Sequence, residues 1–174
     1  MANPNEIQTF LKTWEYESQG VIRVLESIPD DKYDFRPDPN GRSIGEMAWH
    51  LSESDGYMSM GIAGRQVGFK DALPELKRPK EVKLLAPGYR RVHELAVERL
   101  RNLKTEELDE NVKFPDGTSL TVREMLWGAM LHHLIHHRAQ LVLLCRLAGG
   151  TPPGLYGPNR EEMQALREKM AAKA

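Results

Sequence analysis

The chain has 174 residues, 40% hydrophobic and 28% charged, a composition typical of one ordinary globular domain. Lysine and arginine number 24 against 25 acidic residues, so the formal net charge of -1 gives no general attraction to nucleic acid or an anionic membrane. The single cysteine, Cys145, excludes an intramolecular disulfide and a cysteine-rich zinc site. The sequence contains neither a signal-peptide pattern nor an apolar run of the ~18 residues that span a bilayer. We therefore expect one domain over residues 1–174, in the cytoplasm.

The first two predicted helices are marked by their start signals and by apolar periodicity. Pro4 suits the first turn of a helix, and apolar residues then recur at helical spacing until Pro29 ends the pattern. A loop rich in proline, aspartate and glycine follows. Ser43 and Glu46 have the spacing of a capping box, which predicts a second helix from there to about Gly64.

The segment from Arg65 to Lys83 contains two prolines and no sustained periodicity. A loop of this length is uncommon in a small domain, where it is usually a lid, a binding segment or a mobile connection. A functional segment and a mobile surface loop are both open interpretations.

The second half of the chain contains two more main helices. The third is predicted to start after Pro87, and an Asp-Gly turn that follows it favours a short two-stranded ribbon. Thr121 caps the fourth helix, which runs to about Ala148 and is apolar nearly all round, so we expect it to be the most buried. A short charged helix follows from about Arg160 to Met170. These elements predict an all-α four-helix bundle with a short extra helix at its C-terminal end.

Four of the six histidines lie inside the predicted fourth helix, in the run His132-His133-Leu134-Ile135-His136-His137. Several imidazoles buried in an apolar setting need partners, and neutral imidazole is a common ligand of transition metals. The pairs His132/His136 and His133/His137 are both spaced to share a helix face. Steps of 3.6 residues from Leu126 pass through the second pair, which favours His133 and His137 as the inward pair.

A useful metal site needs at least one more ligand from another helix. His50, in the middle of the second helix, is the first candidate. His93 is the alternative, although its charged sequence neighbours indicate a solvated face. A lone helical histidine is usually a core or surface residue with ordinary hydrogen bonds. The spaced pair together with a third histidine instead predicts one divalent metal site of His50, His133 and His137.

At these residues the sequence resembles the DinB/YfiT-like superfamily, whose members are described as metalloenzymes. The resemblance covers almost the whole chain and is strongest over residues 132–141 and 151–158. Members show a His-x-x-x-His pair whose second histidine is followed by Arg and soon after by Gln, which matches His133 and His137. An earlier histidine after a Gly-Glu-like helix start matches His50. The resemblance implies a four-helix bundle, a nickel, zinc or similar ion, and often a homodimer, for which Trp14 is one candidate contact.

Three histidines leave a coordination position open, as in catalytic rather than structural zinc sites. The leading hypothesis is a metal-dependent enzyme that acts on a small molecule, either a hydrolase or a transferase. Some relatives are thiol-dependent and use low-molecular-weight bacterial thiols, but no residue here identifies a thiol-binding segment. The alternatives are a non-catalytic module that binds a metal or small ligand, and a metal that only supports a dimer.

Four further residues near the predicted ligands have expected roles. Glu53, three residues after His50, is the candidate general base. Tyr57 and Gln140 are candidates to line the cleft. Arg138 is expected to form an ion pair on a neighbouring surface, because it points away from the predicted ligand face.

Overall fold

The computed structural model describes residues 5–69 and 73–172. Pro4, the predicted helix start, lies outside the described residues. The fourth helix is continuous but changes type along its length. The main helices are Glu6–Leu25, Ile44–Gly64, Leu85–Leu100, a fourth built from the segments Val122–Glu124 (α), Met125–His132 (π) and His133–Leu147 (α), and a short C-terminal helix, Arg160–Ala171.

The predicted caps of the second and fourth helices are present. The Ser43 hydroxyl accepts a hydrogen bond from the Glu46 backbone N–H at 3.2 Å, and the Glu46 carboxylate accepts one from the Ser43 N–H at 2.8 Å. Thr121 and Glu124 exchange the same two bonds. These reciprocal bonds satisfy N–H groups that have no partner inside a helix, so both predicted starts are confirmed.

Two helix boundaries differ from the prediction. The third helix begins at Leu85, because Pro87 sits in its first turn, where a backbone N–H is not needed. The first helix ends at Leu25, although the apolar pattern continues to the buried Ile28. Burial of an apolar residue just after a helix extends the periodic pattern without extending the helix.

The first and second helices each pack against the third and fourth, which gives a bundle with one shared core. The second helix is the most buried, whereas the prediction assigned that place to the fourth. Leu143 and Leu147 of the fourth helix are 60% and 56% exposed. Trp14 is fully buried, so the prediction that it contacts a second subunit is wrong. Apolar residues alone did not distinguish a buried face from an exposed one.

A short hairpin connects the third and fourth helices. Strand Asn111–Lys113 pairs antiparallel with Ser119–Thr121, as the predicted ribbon requires. Gly117 takes a positive φ of 88° in the turn, a conformation that glycine adopts without strain. The hairpin leads directly into the cap of the fourth helix, since Thr121 belongs to both.

The described part of the loop between Arg65 and Lys83 is fastened to the bundle. It contains two short 3-10 turns, Pro74–Leu76 and Val82–Leu84. The Trp49 indole N–H donates to the Leu76 carbonyl at 3.0 Å, and the Tyr33 hydroxyl donates to the Pro79 carbonyl. The first bond fastens the loop to the second helix, and the second fastens it to the segment between the first and second helices. Within the described residues, none of the helices combines the length and apolar character needed to cross a bilayer.

A π-helical segment precedes the two histidines of the predicted pair. Met125–His132 is π-helical, and the α-helix resumes at His133. A π-helix closes i→i+5 hydrogen bonds, so each of its turns is wider than 3.6 residues, and such segments occur often at functional sites. The uniform 3.6-residue steps used for the prediction therefore do not describe the helix before His133. From His133 onward the spacing of four places His133 and His137 on one face.

Candidate metal centre

Three histidines from two helices come together at one side of the bundle. The ring centroid of His50 lies 5.1 Å from that of His133 and 4.6 Å from that of His137, and the last two are 4.3 Å apart. One ring nitrogen from each lies within 4.8 Å of the other two. Metal–nitrogen bonds of about 2.0–2.1 Å put ligand nitrogens roughly 3–4 Å apart, so small ring rotations suffice. The three histidines could therefore hold one metal ion.

Hydrogen bonds to the other ring nitrogen orient both histidines of the fourth helix. Nδ1 of His133 lies 3.1 Å from the Ser54 hydroxyl, and Nδ1 of His137 donates to the Gln140 side-chain oxygen at 2.7 Å. Both partners follow from helical spacing, since Ser54 is one turn after His50 and Gln140 is one turn after His137. Nε2 of each ring is left to bind a metal, in the arrangement that metal-binding histidines usually show.

The third histidine has an acidic neighbour. Nδ1 of His50 lies 3.8 Å from one Glu53 oxygen, and the other oxygen accepts a hydrogen bond from Arg78 at 2.9 Å. The His50 ring and Arg78 hold the pKa of Glu53 below its usual value, against the opposing effect of burial. Glu53 is thus an ionised group in an ion pair, and a weaker proton acceptor than a free carboxylate.

The pKa values of His133 and His137 are lowered, so these two rings are uncharged at neutral pH. Burial, assisted by the neighbouring histidines and by the positive charge of Arg42, lowers the pKa of His133 to about 4. Burial also lowers the pKa of His137, although its hydrogen bond to Gln140 acts in the opposite direction. Neutral imidazole is the form that binds a metal ion, so these two rings need not lose a proton first.

A cavity of about 290 Å³ opens beside the histidines. Its lining has a polar part that belongs to the histidine cluster and an apolar part from the end of the second helix and the loop after it. The polar residues are His50, Glu53, Ser54 and His133; the apolar part consists of Tyr57, Met58 and Phe69. A ligand in this cavity would lie directly against the candidate metal centre.

The structure brings most of the predicted site residues to this place. Glu53 and Tyr57 line the cavity, whereas Gln140 is hydrogen-bonded to His137 and does not line it. The competing pair, His132 and His136, is exposed on the neighbouring face of the helix. The geometry therefore agrees with the predicted pairing of residues 133 and 137.

His93 does not lie on a solvated face, as its charged neighbours had suggested. It is only 5% exposed, and its Nδ1 lies 2.9 Å from an oxygen of the buried Asp55. Its ring contacts Trp14 and Tyr89, with centroid distances of 4.4 Å and 5.8 Å. The adjacent residues Arg91 and Glu94 are the exposed ones, because neighbours in sequence point in different directions around a helix.

Arg138 forms a buried ion pair, and the prediction of a surface ion pair is wrong. Its guanidinium is 2% exposed, lies 2.6 Å from the Glu17 carboxylate, and donates to the Glu17 carbonyl and the Tyr156 hydroxyl. A Cβ at Gly20 would come within 2.6 Å of that guanidinium, so glycine makes room for it. Because Glu17 is 121 residues away in the chain, local spacing gave no sign of this contact.

Four other residues around the site had no predicted role in it. Ser54 and Met58 lie about one and two turns after His50, and the spacing of four already put Ser54 on the same helix face. Arg78 and Phe69 carried no comparable signal, because both come from the loop after the second helix and reach the site only through its folded path.

Comparisons with known proteins agree with this fold. The family model described as DinB family matches residues 1–170. The uncharacterized protein YrdA of Bacillus subtilis (strain 168) is 28% identical over 159 residues, which cover 88% of this chain and 89% of that protein. The crystal structure of a DinB-like protein from Bacillus cereus ATCC 10987 has a TM-score of 0.73 at 28% identity, covering 88% of this chain and 100% of that one. A DinB-like protein from Bacillus subtilis, YjoA, has a TM-score of 0.70 at 23% identity over 87% and 99% of the two chains, a likeness of fold.

Proposed function

The chain belongs to the DinB family, and on that premise we propose that it binds one divalent metal ion through His50, His133 and His137 and acts as a metal-dependent enzyme on a small molecule. The observation that carries this proposal is the convergence of three histidines beside an open cavity. Three protein ligands leave a coordination position free for a substrate, which distinguishes catalytic from structural zinc sites.

The metal we propose is zinc or nickel, because imidazole ligands suit both ions and the described ligand set contains no thiolate. When bound, such an ion supplies a Lewis acid that polarises a substrate oxygen or acidifies a substrate thiol. Residues next to the three histidines set the orientation of the ligand rings. Ser54 and Gln140 fix the orientation of two ligand rings, and the Glu53–Arg78 ion pair lies beside the third.

Two reaction classes fit this site, hydrolysis and thiol-dependent transfer. Glu53 was the predicted general base, and its position in the cavity supports that role. Its lowered pKa and its pairing with Arg78 weaken it as a base, so we assign it first to orienting His50 and keep proton transfer as its second role. From the family resemblance we also propose a homodimer in the cytoplasm and a low-molecular-weight thiol as the co-substrate of the transfer reaction.

The first experiment is an equilibrium titration of metal-free protein with Zn²⁺ and Ni²⁺ by calorimetry. We expect one ion per chain in the wild type, and an affinity at least ~100-fold lower in His133→Ala, because one of three ligands is lost. His132→Ala is the matched control: it removes an exposed histidine from the same helix and should leave the affinity unchanged. Equal affinities in wild type and His133→Ala would contradict the proposed site.

A second experiment separates the reaction classes. Metal-loaded protein is assayed against a panel of small esters and amides and against electrophiles offered together with a thiol, with His133→Ala as the inactive control. Turnover without added thiol supports hydrolysis, and turnover that requires thiol supports transfer. Stoichiometric metal binding without turnover in either panel would favour a binding module over an enzyme.

A further inference from the structure

One wall of the cavity beside the histidines is apolar. It consists of Tyr57, Met58 and Phe69, none of which is a candidate metal ligand. Tyr57 and Met58 come from the second helix, both about two turns beyond His50, and Phe69 comes from the loop after it. The rings of Tyr57 and Phe69 meet edge to face, with centroids 5.8 Å apart. The cavity thus places a continuous aromatic and thioether surface opposite the polar cluster.

Phe69 is a large apolar side chain that the fold leaves half exposed. It is 49% exposed, so about half of its ring faces solvent at the edge of the cavity. Burying a large apolar side chain lowers the free energy, because apolar surface is removed from water. A ligand that covered this ring would recover part of that free energy, which the protein alone leaves unused.

The size and charge of the cavity restrict the class of ligand that can bind. Its volume of about 290 Å³ lies near the lower end for small-molecule sites. Its acidic lining residue, Glu53, is already paired with Arg78. Histidine ligands contribute no negative charge, so the charge of a bound divalent ion would be only weakly compensated by the protein. These conditions favour a small ligand whose metal-binding group is anionic.

We propose that the substrate of this site carries an aryl or branched alkyl group next to its metal-binding group, and that Met58 and Phe69 select for that group. This inference rests on the proposed metal site and adds the substrate class to it. The metal-binding group lies at the histidines, and the apolar group packs against Tyr57, Met58 and Phe69. Ligands that bind the metal equally well but lack the apolar group bind more weakly.

The test compares two hydroxamates that share a metal-binding group and differ in the attached group. Calorimetry of zinc-loaded protein should show benzohydroxamate binding at least ~10-fold more tightly than acetohydroxamate, because its ring can bury against the apolar wall. In Phe69→Ser and in Met58→Ser the ratio should fall towards 1, while zinc affinity stays at the wild-type value. Leu166→Ser is the matched control, since Leu166 is 48% exposed on the C-terminal helix, and it should keep the full ratio.

The outcomes distinguish this inference from the proposed function. If the protein binds zinc and binds both hydroxamates with equal affinity, the proposed selection by the apolar wall is wrong, while the proposed metal site still stands. A preference for benzohydroxamate that survives both Phe69→Ser and Met58→Ser also overturns the proposed selection, because the ring must then bind elsewhere. Protein that binds neither zinc nor nickel overturns the proposed function and this inference together.

Discussion

One interior histidine and a cluster of three histidines at the edge lie in the same bundle. Their surroundings differ in burial, in neighbouring groups and in access to a cavity. His93 is enclosed in the interior, beside the Asp55 carboxylate and between the rings of Trp14 and Tyr89. His50, His133 and His137 are half-buried at the edge of the bundle, with a cavity beside them. The first group contains one imidazole and a carboxylate, and the second contains three imidazoles with free nitrogens.

The comparison shows that burial alone does not identify a functional histidine. In the interior, the Asp55 carboxylate pairs with Nδ1 of the ring, whereas Nε2 is buried without a hydrogen-bond partner among the described residues. Burial together with the charge of Asp55 raises the pKa of Tyr89 well above its usual value. The neighbours Trp14, Tyr89 and Asp55 are themselves buried, so this histidine is enclosed by the core. At the edge, hydrogen bonds to Nδ1 fix two rings while leaving their Nε2 atoms available. The interior histidine therefore has a structural role, and the edge histidines form the metal site that we propose.

The largest expected effect comes from breaking the interior pair. We expect His93→Ala to lower the free energy of unfolding by about 3–5 kcal/mol, because it leaves the Asp55 carboxylate buried without its partner. Chemical denaturation of the metal-free protein measures this loss, and the folded variant should still bind one metal ion. His132→Ala, which removes an exposed histidine, should change stability by less than about 0.5 kcal/mol. A loss below about 1 kcal/mol in His93→Ala would show that the interior pair is not structural.

Lowering the pH should have a smaller effect on stability, through His133 in the cluster at the edge of the bundle. The folded-state pKa of His133 is about 4, below the ordinary value of 6.5, so the unfolded chain binds a proton there before the folded chain does. The metal-free protein should therefore lose stability as the pH falls from about 6.5 to about 4. After allowance for the partial exposure of the ring, we expect a loss of about 1–2 kcal/mol. Urea denaturation at pH 7 and pH 5 should show a weaker pH dependence in His133→Gln, and an identical dependence would contradict this assignment.

The smallest effect concerns the partners that orient the edge histidines. Gln140→Ala should weaken zinc binding about tenfold, because outer hydrogen-bond partners of ligand histidines typically change affinity by about 10–100-fold. Its effect on the free energy of unfolding should be small, since Gln140 is exposed. Gln164→Ala, on the C-terminal helix, removes an exposed glutamine far from the site and is the control. Unchanged zinc affinity in Gln140→Ala would mean that this hydrogen bond does not orient His137.

Features set by local sequence could be predicted, and features set by distant contacts could not. The capping boxes at Ser43 and Thr121 depend on residues three apart, and both were predicted correctly. The spacing of His133 and His137 is also local, so the sequence already favoured this pair. By contrast, the ion pair of Arg138 joins the fourth helix to Glu17 in the first, and the sequence pattern placed Arg138 on the surface.

The remaining errors have related physical causes. His93 was assigned to a solvated face from its charged neighbours, but its own direction is set by the helix and by Asp55 across the bundle. The fourth helix was predicted to be the most buried because it is apolar nearly all round. A bundle buries only the faces that meet other helices, which leaves Leu143 exposed. The apolar wall of the cavity depends on where the loop brings Phe69, and no local pattern specifies that position.

Anomalous diffraction from crystals grown with zinc or nickel, collected on both sides of the metal's absorption edge, would locate the bound ion. We expect one strong anomalous peak per chain, about 2.0–2.2 Å from a ring nitrogen of each of His50, His133 and His137. A peak bound elsewhere, such as at the exposed His132 and His136, would contradict the proposed site. So would crystals soaked to saturation that show no peak among the three histidines.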